Sequence, residues 1–570
     1  MRAGKLKFAV VAAVAWGMAV TALQGQETAT PRTPAPIKVG RSSQFGRRTG
    51  SPYVELDSWI YPALERLAAL GYIHSEFSDM RPWARVECAR MVQEAGMVLD
   101  VNPGGSSEAQ RFYRLLRNEF EPELGEMSSA RGEGTVRLES LYSRVVGINR
   151  QPLNDSYHFG QTLINNYGRP YQEGFNSYNG FSGYAAAGRF VIYTRGEFQH
   201  APAAPAYPLS ARQAIASADA NLLQPAAPFA GKDQFRLLDA YPAVNLAGWN
   251  LAFGKQSLWW APNHGGAFLF SNNAEPNYMV RVSRIAPFQL PWIFSLLGPM
   301  KWDLFFGKLS GNQYPPRPLI HGEKISFKPT RNLELSFSRT GEFGGVGRPM
   351  TPGAIFNSYF SVQSSVGYSA SQNPGERNGG FDVSYRIPGL RNWLTVYGDF
   401  MSRDDISPLD APRRASWNPG LYLAWIPRVP RIDFRVEGVN TDPPSSPARN
   451  GQFDYWEAFY HDLYTNKNNL IGDWIGREGT GFQAWSTYWL GPRDTIQIGY
   501  RHAKVSASFI PSGETFNDGS VTLNWWLRDN VQVSAFAQYE KWLAPVLAAG
   551  PQTNWTSSFE ITYWPKSLRR

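Results

Sequence analysis

The most constraining feature of the sequence is a period-two alternation of apolar and polar side chains that recurs throughout its second half. In the segment "PTRNLELSFSRTGEF" (329–343), leucine or phenylalanine occupies positions 333, 335 and 337, and glutamate or serine occupies the positions between them. Successive side chains of a β-strand point to opposite faces. The pattern therefore predicts a strand with one apolar and one polar face, entered from a Pro-Thr-Arg-Asn turn.

The same alternation flanks five short turns rich in Pro, Gly, Arg and Asp, which predict five hairpins and ten strands. Longer polar segments rich in Gly, Pro and Asn separate one hairpin from the next. The connections are thus short at one end of the sheet and long at the other. The turns are "PTRN" at 329, "IPGLRN" at 387, "IPRVPR" at 426, "LGPRD" at 490 and "LRDN" at 527.

Short turns on one side and long loops on the other are typical of outer-membrane β-barrels. Backbone groups in lipid all need partners, so a spanning sheet must close on itself. The N-terminal half supplies further strand-like segments, such as "SYHFGQTL" (156–163) and "FLFSN" (268–272). The fold class is therefore mainly β: a transmembrane antiparallel β-barrel of about 18 strands over residues 135–564. The polar side chains expected inside it include Glu334, Asp382, Ser384, Arg386, Asp433, Arg435, Glu437, Gln497, Arg501, Gln532 and Gln538.

Aromatic residues support a membrane location for these strands. The chain has 20 Trp, 27 Tyr and 34 Phe, and Trp and Tyr crowd the strand ends, as interfacial girdles do. A soluble β-sandwich or propeller, such as a secreted glycan-binding protein, is the alternative, with a polar outer face and an apolar core. Dependence on detergent would separate the two classes.

The N-terminus has the features of an export signal. Lys5 and Lys7 precede an apolar run from Phe8 to Val20 and a region of small residues, which together predict a signal peptide over residues 1–25. A flexible leader rich in Thr, Pro, Arg and Gly is expected over 26–51. Export disfavours a nucleic-acid partner. Removal of the signal lowers the formal net charge from +9 to about +6, a mild excess compatible with anionic lipid or polysaccharide.

Residues 52–130 change to helical periodicity. Apolar residues at 60, 64, 67 and 70 form one stripe that ends at Gly71, and two more helices are predicted from about Pro82 and Ser107. This helical domain precedes the first strand, so we expect it on the periplasmic side of the barrel. Cys88 is the single cysteine and is expected to be a small helix-face residue rather than a reactive thiol.

Catalytic signatures are weak. The seven histidines show no HxxH or HExxH spacing, and no G-x-S-x-G elbow occurs. The adjacent acids Asp404 and Asp405 lie in a Pro- and Ser-rich segment, where a solvated loop is the simpler interpretation than a glycosidase pair. The sequence therefore predicts no enzyme, no cofactor and no metal site.

Two blocks carry a family resemblance. "GWNLAFGKQSLWWAPNHGGAFLFSNNAEPNYMVRVSR" (248–284) and "YHDLYTNKNNLIGDWIGREGTGFQAWSTYWLGPRDTIQIGYRH" (460–502) resemble the Wzi family of capsule assembly outer-membrane proteins. A Gly-Lys/Gln pair, a Trp-Trp-Gly-Pro-like element and an "SNNA-P" segment carry the first match, with Ala261 at the glycine position. The resemblance implies an eighteen-stranded barrel with a helical domain near its periplasmic mouth, which acts as a lectin that attaches or organises capsular polysaccharide.

The first block also supplies the candidate binding residues. Sugar sites need flat aromatic faces for the apolar side of pyranose rings, and amides for paired hydroxyls. An alternative role is packing: the tryptophans would fill the lumen or join a girdle, and the asparagines would make turns. The candidates are Trp259, Trp260, Asn263, His264, Asn272 and Asn273.

The sequence thus predicts a monomeric, non-catalytic barrel that binds capsular or other surface polysaccharide, with outer-membrane lipid and lipopolysaccharide as its surroundings. A diffusion channel for sugars or other small solutes is the second hypothesis. Inward side chains of both signs favour a filled, ion-paired lumen over an open pore. A continuous water path through the lumen would favour the channel.

Overall fold

The computed structural model describes residues 50–101, 106–128, 134–348, 350–361, 368–369, 371–390, 393–403, 415–443, 450–462 and 464–565. The predicted signal peptide (1–25), the leader as far as residue 49 and the Asp404–Asp405 pair lie outside these ranges. The dominant feature is a closed antiparallel barrel of 18 strands, which confirms the predicted fold. Closure is direct, because the first strand pairs with the last from Leu141↔Tyr563 to Ile148↔Thr556.

Each barrel strand pairs with its neighbours in sequence. The strands are β1 Thr135–Ile148, β2 Gly174–Ala187, β3 Phe190–Ala201, β4 Lys232–Leu246, β5 Trp249–Gln256, β6 Asn277–Arg284, β7 Met300–Lys308, β8 Leu319–Phe327, β9 Leu333–Phe343, β10 Glu376–Arg386, β11 Leu394–Arg403, β12 Ser416–Leu423, β13 Ile432–Asn440, β14 Gly479–Trp489, β15 Thr495–Val505, β16 Glu514–Arg528, β17 Val531–Leu543 and β18 Gln552–Tyr563.

All five predicted hairpin turns connect the strands expected, at what we call the short-turn end of the barrel. Two predicted strands are wrong. Residues 156–163 and 268–272 lie in long connections that fold into the barrel at the opposite, long-loop end. Within the first of them only Gly160–Gln161 forms a strand, which pairs with Asn154–Asp155 outside the barrel sheet. Their apolar side chains, such as Phe159 and Phe268, are buried in a core inside the lumen rather than directed at lipid.

Alternation along the strands separates a polar interior from an apolar exterior. In β9, Glu334 and Ser336 are buried, whereas Phe337 is 44% exposed on the outside. The same side of other strands carries Ile192, Phe253, Val280, Ile498, Val521, Phe559 and Ile561, all exposed. Aromatic side chains are exposed near both rims, including Trp525 and Tyr563 at the short-turn end and Tyr278 and Trp555 at the long-loop end. This surface suits a bilayer with two interfacial girdles.

The predicted helical part is present. It comprises α1 Ile60–Ala69, α2 Arg85–Val101, α3 Ser107–Glu119 and α4 Glu121–Ser128. Gly71, with φ of +88°, follows the end of α1, and the side chain of Ser106 caps α3 by accepting from the Ala109 amide. Cys88 is fully buried on α2, as its helix-face prediction required.

Three further helical segments lie in the connections between strands and were not predicted: α5 Leu209–Ala218, α6 Pro352–Phe360 and a 3-10 helix over Trp292–Leu297. None of the helices in the described residues is both long enough and apolar enough to cross a bilayer.

The helical domain packs into the short-turn end of the barrel. The ring centroid of Phe112 in α3 lies 5.3 Å from that of Trp489 at the end of β14. Buried ion pairs tie the two parts together, among them Lys328 with Glu76 at 3.7 Å and Arg435 with Glu65 at 3.2 Å. Because both partners of each pair are largely removed from water, the contact depends on good geometry and is costly to break.

Candidate functional site

Three connections from the long-loop end fold inward and fill much of the lumen. These plug loops are 149–173, 257–276 and the described part of 450–478, and they share one apolar core with inward side chains of the strands. Trp260 lies with its ring centroid 5.5 Å from Phe270 and 5.4 Å from Phe305. A close-packed aromatic core of this kind leaves little room for solute at that level of the barrel.

The plug loop 257–276 passes through the lumen as far as the helical domain. The amide of Trp259 donates to the carbonyl of Arg81, and the amide of Arg81 donates to the carbonyl of Trp259, each at 3.0 Å. The amides of His264 and Gly265 donate to the two carboxylate oxygens of Glu437 in β13, at 2.7 and 2.8 Å. Protein therefore forms a continuous column from the long-loop end to the helical domain.

Five of the six candidate residues are buried within this column. Trp259 is 6% and Trp260 1% exposed, and their indole nitrogens donate to the Asn263 carbonyl at 3.1 Å and to Asp303 at 3.3 Å. The Asn263 side chain donates to the carbonyl and the side-chain oxygen of Asn418, both at 2.8 Å. These hydrogen bonds hold the side chains within the protein interior. The predicted sugar-binding role of these residues remains a prediction.

The remaining candidates extend the same pattern. Asn273 is fully buried and donates to the Leu470 carbonyl at 3.3 Å, while the Asn272 carbonyl accepts from the Tyr167 amide at 2.7 Å. His264 alone is exposed, and its ring lies 5.1 Å from that of Trp485 inside the barrel. The six residues are thus brought together as plug, and not as an external surface.

An open cleft lies above the plug at the long-loop end, with a volume of about 810 Å³. One wall is the connection 202–231, which carries α5, and the others are the plug loops and the connection 309–318. Aromatic rings lie along it: Tyr207 packs edge-on against Phe229 at 5.0 Å, and Tyr314 stacks on His461 at 5.5 Å. Tyr314 is 37% exposed, so part of its surface is free to meet a ligand.

A charged network forms the floor of the cleft. His158 Nδ1 lies 2.8 Å from Asp155, and Nε2 lies 2.9 Å from Asp219, which also accepts from Arg477 at 2.6 Å. Burial lowers the pKa of His158, but the two carboxylates outweigh that effect and raise it to about 10. Burial raises the pKa of Asp219, but His158 and Arg477 together lower it to about 2. At neutral pH His158 is therefore protonated and Asp219 ionised.

Basic side chains dominate one rim of the cleft. The buried Glu275 pairs with Lys255, with Arg236 at 2.6 Å and with Lys467 at 2.9 Å. Three cations thus share one carboxylate, and the Lys467 side chain is 41% exposed. The surplus positive charge makes this rim attractive to anionic groups.

Sequence reasoning missed this cleft, because its residues lie in four separate connections with no shared motif. The histidine of "DSYHFG" was assigned to a strand, although Asp155 three residues before it was a local sign of an ionised pair.

Residues 144–557, most of the barrel, match the model of the family described as capsule assembly protein Wzi. The chain belongs to this family. Membership agrees with the closed barrel and its apolar exterior, and the protein is an outer-membrane protein, as the sequence predicted.

Two relatives of this family member extend the comparison. An uncharacterized 55.8 kDa protein in the cps region of Klebsiella pneumoniae is 27% identical over 179 residues, which cover 30% of this chain and 34% of that protein. The matched part thus spans about a third of the curated relative. The solved structure of Wzi from Escherichia coli, described as an outer membrane protein involved in group 1 capsule assembly and a carbohydrate-binding β-barrel, aligns with a TM-score of 0.64 at 16% identity. The alignment covers 91% of this chain and all of the other chain. At this identity the likeness is one of fold alone.

Proposed function

We propose that this protein binds surface polysaccharide in the cleft at the long-loop end and thereby helps to attach or organise capsule at the cell surface. The observation that carries the proposal is the cleft itself: an open, ring-lined and charge-lined site above a lumen filled by protein. A glycan chain can lie across such a site without having to pass through the barrel. The fold shared with the carbohydrate-binding Escherichia coli barrel supports this function.

Orientation follows from the connections. Outer-membrane barrels place short turns in the periplasm and long loops outside. On that basis the cleft faces the exterior, and the helical domain faces the periplasm. The surrounding lipid would contact the apolar exterior, with lipopolysaccharide in the outer leaflet near the cleft. We propose a monomer, because barrel closure leaves no strand edge that a second copy could pair with.

The chemistry of the cleft favours binding over catalysis. Glycoside hydrolysis needs two carboxyl groups on either side of one bond, one of them free to donate a proton. Here Asp155 and Asp219 are both bound to His158, and Asp462 accepts from the Tyr314 amide at 3.3 Å. Among the described cleft residues, the acids therefore hold the loops in place. Rings, amides and cations remain for contacts with a glycan.

A diffusion channel is the second hypothesis, and the plug argues against it. The route from the cleft to the helical domain is occupied by Trp260 and its neighbours, together with the column that ends at the Arg81–Trp259 pairing. A channel would need the plug loops to leave the lumen, which would expose their aromatic core to water.

Deletion of the gene, followed by staining of cell-associated and released polysaccharide, tests the proposed function. Release into the medium with unchanged total polysaccharide supports attachment, whereas unchanged attachment with impaired solute uptake supports transport. Complementation with Tyr314→Ala addresses the cleft, because this change removes an exposed ring from its lining. Phe356→Ala on α6 is the matched control, since Phe356 is 63% exposed at the same end but does not line the cleft. Release with the control and not with the cleft variant would contradict the assignment.

A further inference from the structure

A second cavity lies inside the barrel on the other side of the plug. This inner chamber has a volume of about 450 Å³ and runs along the inner faces of β14 to β18 and β1. The plug closes it toward the long-loop end: the Thr162 carbonyl accepts from Arg501 at 3.3 Å and from Gln538 at 3.1 Å. Its other end reaches the strand termini at the short-turn end, beside Trp59 and Trp564.

Charged side chains of the chamber are matched within its own walls. Arg501 pairs with Asp518 at 2.6 Å, Arg144 with Glu560 at 2.5 Å, and Arg195 with Asp57 at 2.8 Å. Each cation therefore already has a carboxylate, and a charged ligand would have to displace one. The chamber offers such a ligand no surplus charge, in contrast to the basic rim of the external cleft.

The remaining lining is rich in uncharged amides, hydroxyls and indole rings. Gln497 donates to Thr487 at 3.1 Å, and Asn524 accepts from Ser534 at 2.8 Å, so these amides are held in place by neighbouring side chains. The lining side chains with this chemistry include Gln483, Trp485, Gln497, Asn524, Gln532 and Ser534. Aligned amides and aromatic faces are the groups that bind pyranose hydroxyls and pyranose faces.

Several nitrogen donors of the lining lack hydrogen-bond partners among the described residues. Arg501 is 4% exposed, yet its Nη1 has no hydrogen-bond partner among the described residues, and the same holds for the indole nitrogen of Trp564. A buried donor without an acceptor is costly, and a ligand or water oxygen in the chamber would relieve that cost. The unpaired Nη1 belongs to the same guanidinium whose Nε pairs with Asp518.

An aromatic cluster borders the chamber at the short-turn end. Trp526 lies between Trp564 at 6.1 Å and Trp59 of the helical domain at 6.2 Å, measured between ring centroids. The Arg493 guanidinium lies 3.9 Å from the centroid of Trp526. Rings at the edge of a cavity give an entering sugar its first apolar contact.

We propose that the inner chamber is a second binding site, which takes a short neutral oligosaccharide from the side of the helical domain. The ligand is expected to be neutral because the ion pairs of the chamber are already matched. It is expected to carry many hydroxyls because amides and indoles line the chamber. It must enter from the side of the helical domain because the plug closes the other side. The volume lies within the range of small-molecule sites. The site is separate from the external cleft, so it can be present or absent whatever the cleft binds.

Cysteine protection tests the proposal in the full-length protein. Ser534→Cys places a thiol in the chamber, and the natural Cys88 gives no background because it is fully buried. Ala507→Cys, exposed between β15 and β16 at the long-loop end, is the matched control. A charged, membrane-impermeant thiol reagent should label the control in intact cells, and should label Ser534→Cys only after the periplasm is opened to the reagent.

Saccharide probes then address binding. Maltotriose, cellotriose and isomaltotriose are the neutral probes, and trigalacturonate is the anionic comparison. At about nine times its Kd a neutral trisaccharide leaves about one site in ten free, so labelling of Ser534→Cys should slow about tenfold. Trigalacturonate should have no effect, and Gln532→Ala should weaken the protection whereas Tyr314→Ala should not.

Three outcomes overturn the proposal: labelling of Ser534→Cys from outside intact cells, no labelling from either side, or labelling that none of the neutral trisaccharides slows at tens of millimolar. Retained capsule attachment in the Tyr314→Ala strain with intact protection of the chamber would contradict the cleft assignment and leave the second site standing. The reverse result would remove the second site and leave the proposed function unaffected.

Discussion

Arg66 of α1 donates from Nη1 to the carbonyl oxygen of Ala424, 2.6 Å away, in the turn between β12 and β13. The same guanidinium donates to the Pro430 carbonyl at 2.8 Å and pairs with Glu108 at 2.8 Å. Its side chain is completely buried. One arginine thus joins the helical domain to the barrel wall, which makes it the most direct place to test how firmly the domain is held.

We expect Arg66→Leu to loosen the helical domain. The change removes the cationic partner of the Asp433 and Glu108 carboxylates and the donor to the Ala424 and Pro430 carbonyls. Breaking a buried ion pair in this way costs about 3–5 kcal/mol. Limited proteolysis in detergent should cleave within residues 50–128 faster than in the parent protein, with the barrel intact. Arg117→Leu, at an exposed position of α3, is the control, and equal cleavage of both variants would contradict the role of Arg66.

The His158 network predicts a loss of stability at alkaline pH. Because the folded pKa of His158 is raised from 6.5 to about 10, the folded state holds a proton that the unfolded chain releases. The contribution is complete below about pH 6.5 and disappears as the pH rises to about 10. Hydrogen exchange in residues 149–173 should therefore accelerate over that range.

His158→Gln should remove that part of the pH dependence, since glutamine does not titrate. Exchange in β9, far from the network in sequence, serves as the internal reference. If the parent protein and the variant show the same alkaline profile in residues 149–173, another group controls this transition.

Trp260→Ala tests the plug. Removal of a large buried aromatic side chain costs about 3–5 kcal/mol through the lost contacts and the cavity left behind. Planar-bilayer recordings should show little conductance for the parent protein and more frequent opening for the variant. Large, steady conductance of the parent protein would instead favour the channel hypothesis.

Phe337→Arg tests the lipid-facing side of β9. An arginine on the outer surface near the bilayer midplane costs about 2–4 kcal/mol, whereas near an interface it costs about 0–1 kcal/mol. Leu333→Arg, on the same face at the short-turn end of the strand, is the matched control. Unfolding in urea with lipid vesicles should show the larger loss at 337, and equal losses would place the midplane elsewhere.

The barrel could be predicted from the sequence because its signal is local and repeated. Alternation such as that at 333–338, joined to tight turns, fixes which side chains face lipid without knowledge of any distant contact. The helices could be predicted for the same reason, since the stripe ending at Gly71 and the helix start near Ser107 are read from adjacent residues.

The plug could not be predicted in this way. "FLFSN" has the composition of a strand, but Phe270 packs against Trp260 of the same plug loop and against Phe305 on β7. The same applies to the candidate residues. Trp259 and Asn263 have the chemistry of a sugar site, but whether they face solvent depends on the path of a loop through the lumen.

Sequence alone determined the class of the protein: an exported barrel with a helical N-terminal part, in a recognisable family. Tertiary structure decided where its chemistry lies, because only the folded chain brings the connections 149–173, 202–231 and 309–318 around one cleft and fills the lumen beneath it. The physical reason is the range of the interactions. Side-chain alternation is enforced by neighbouring residues, whereas a cleft and a plug are made by groups that the chain brings together from far apart.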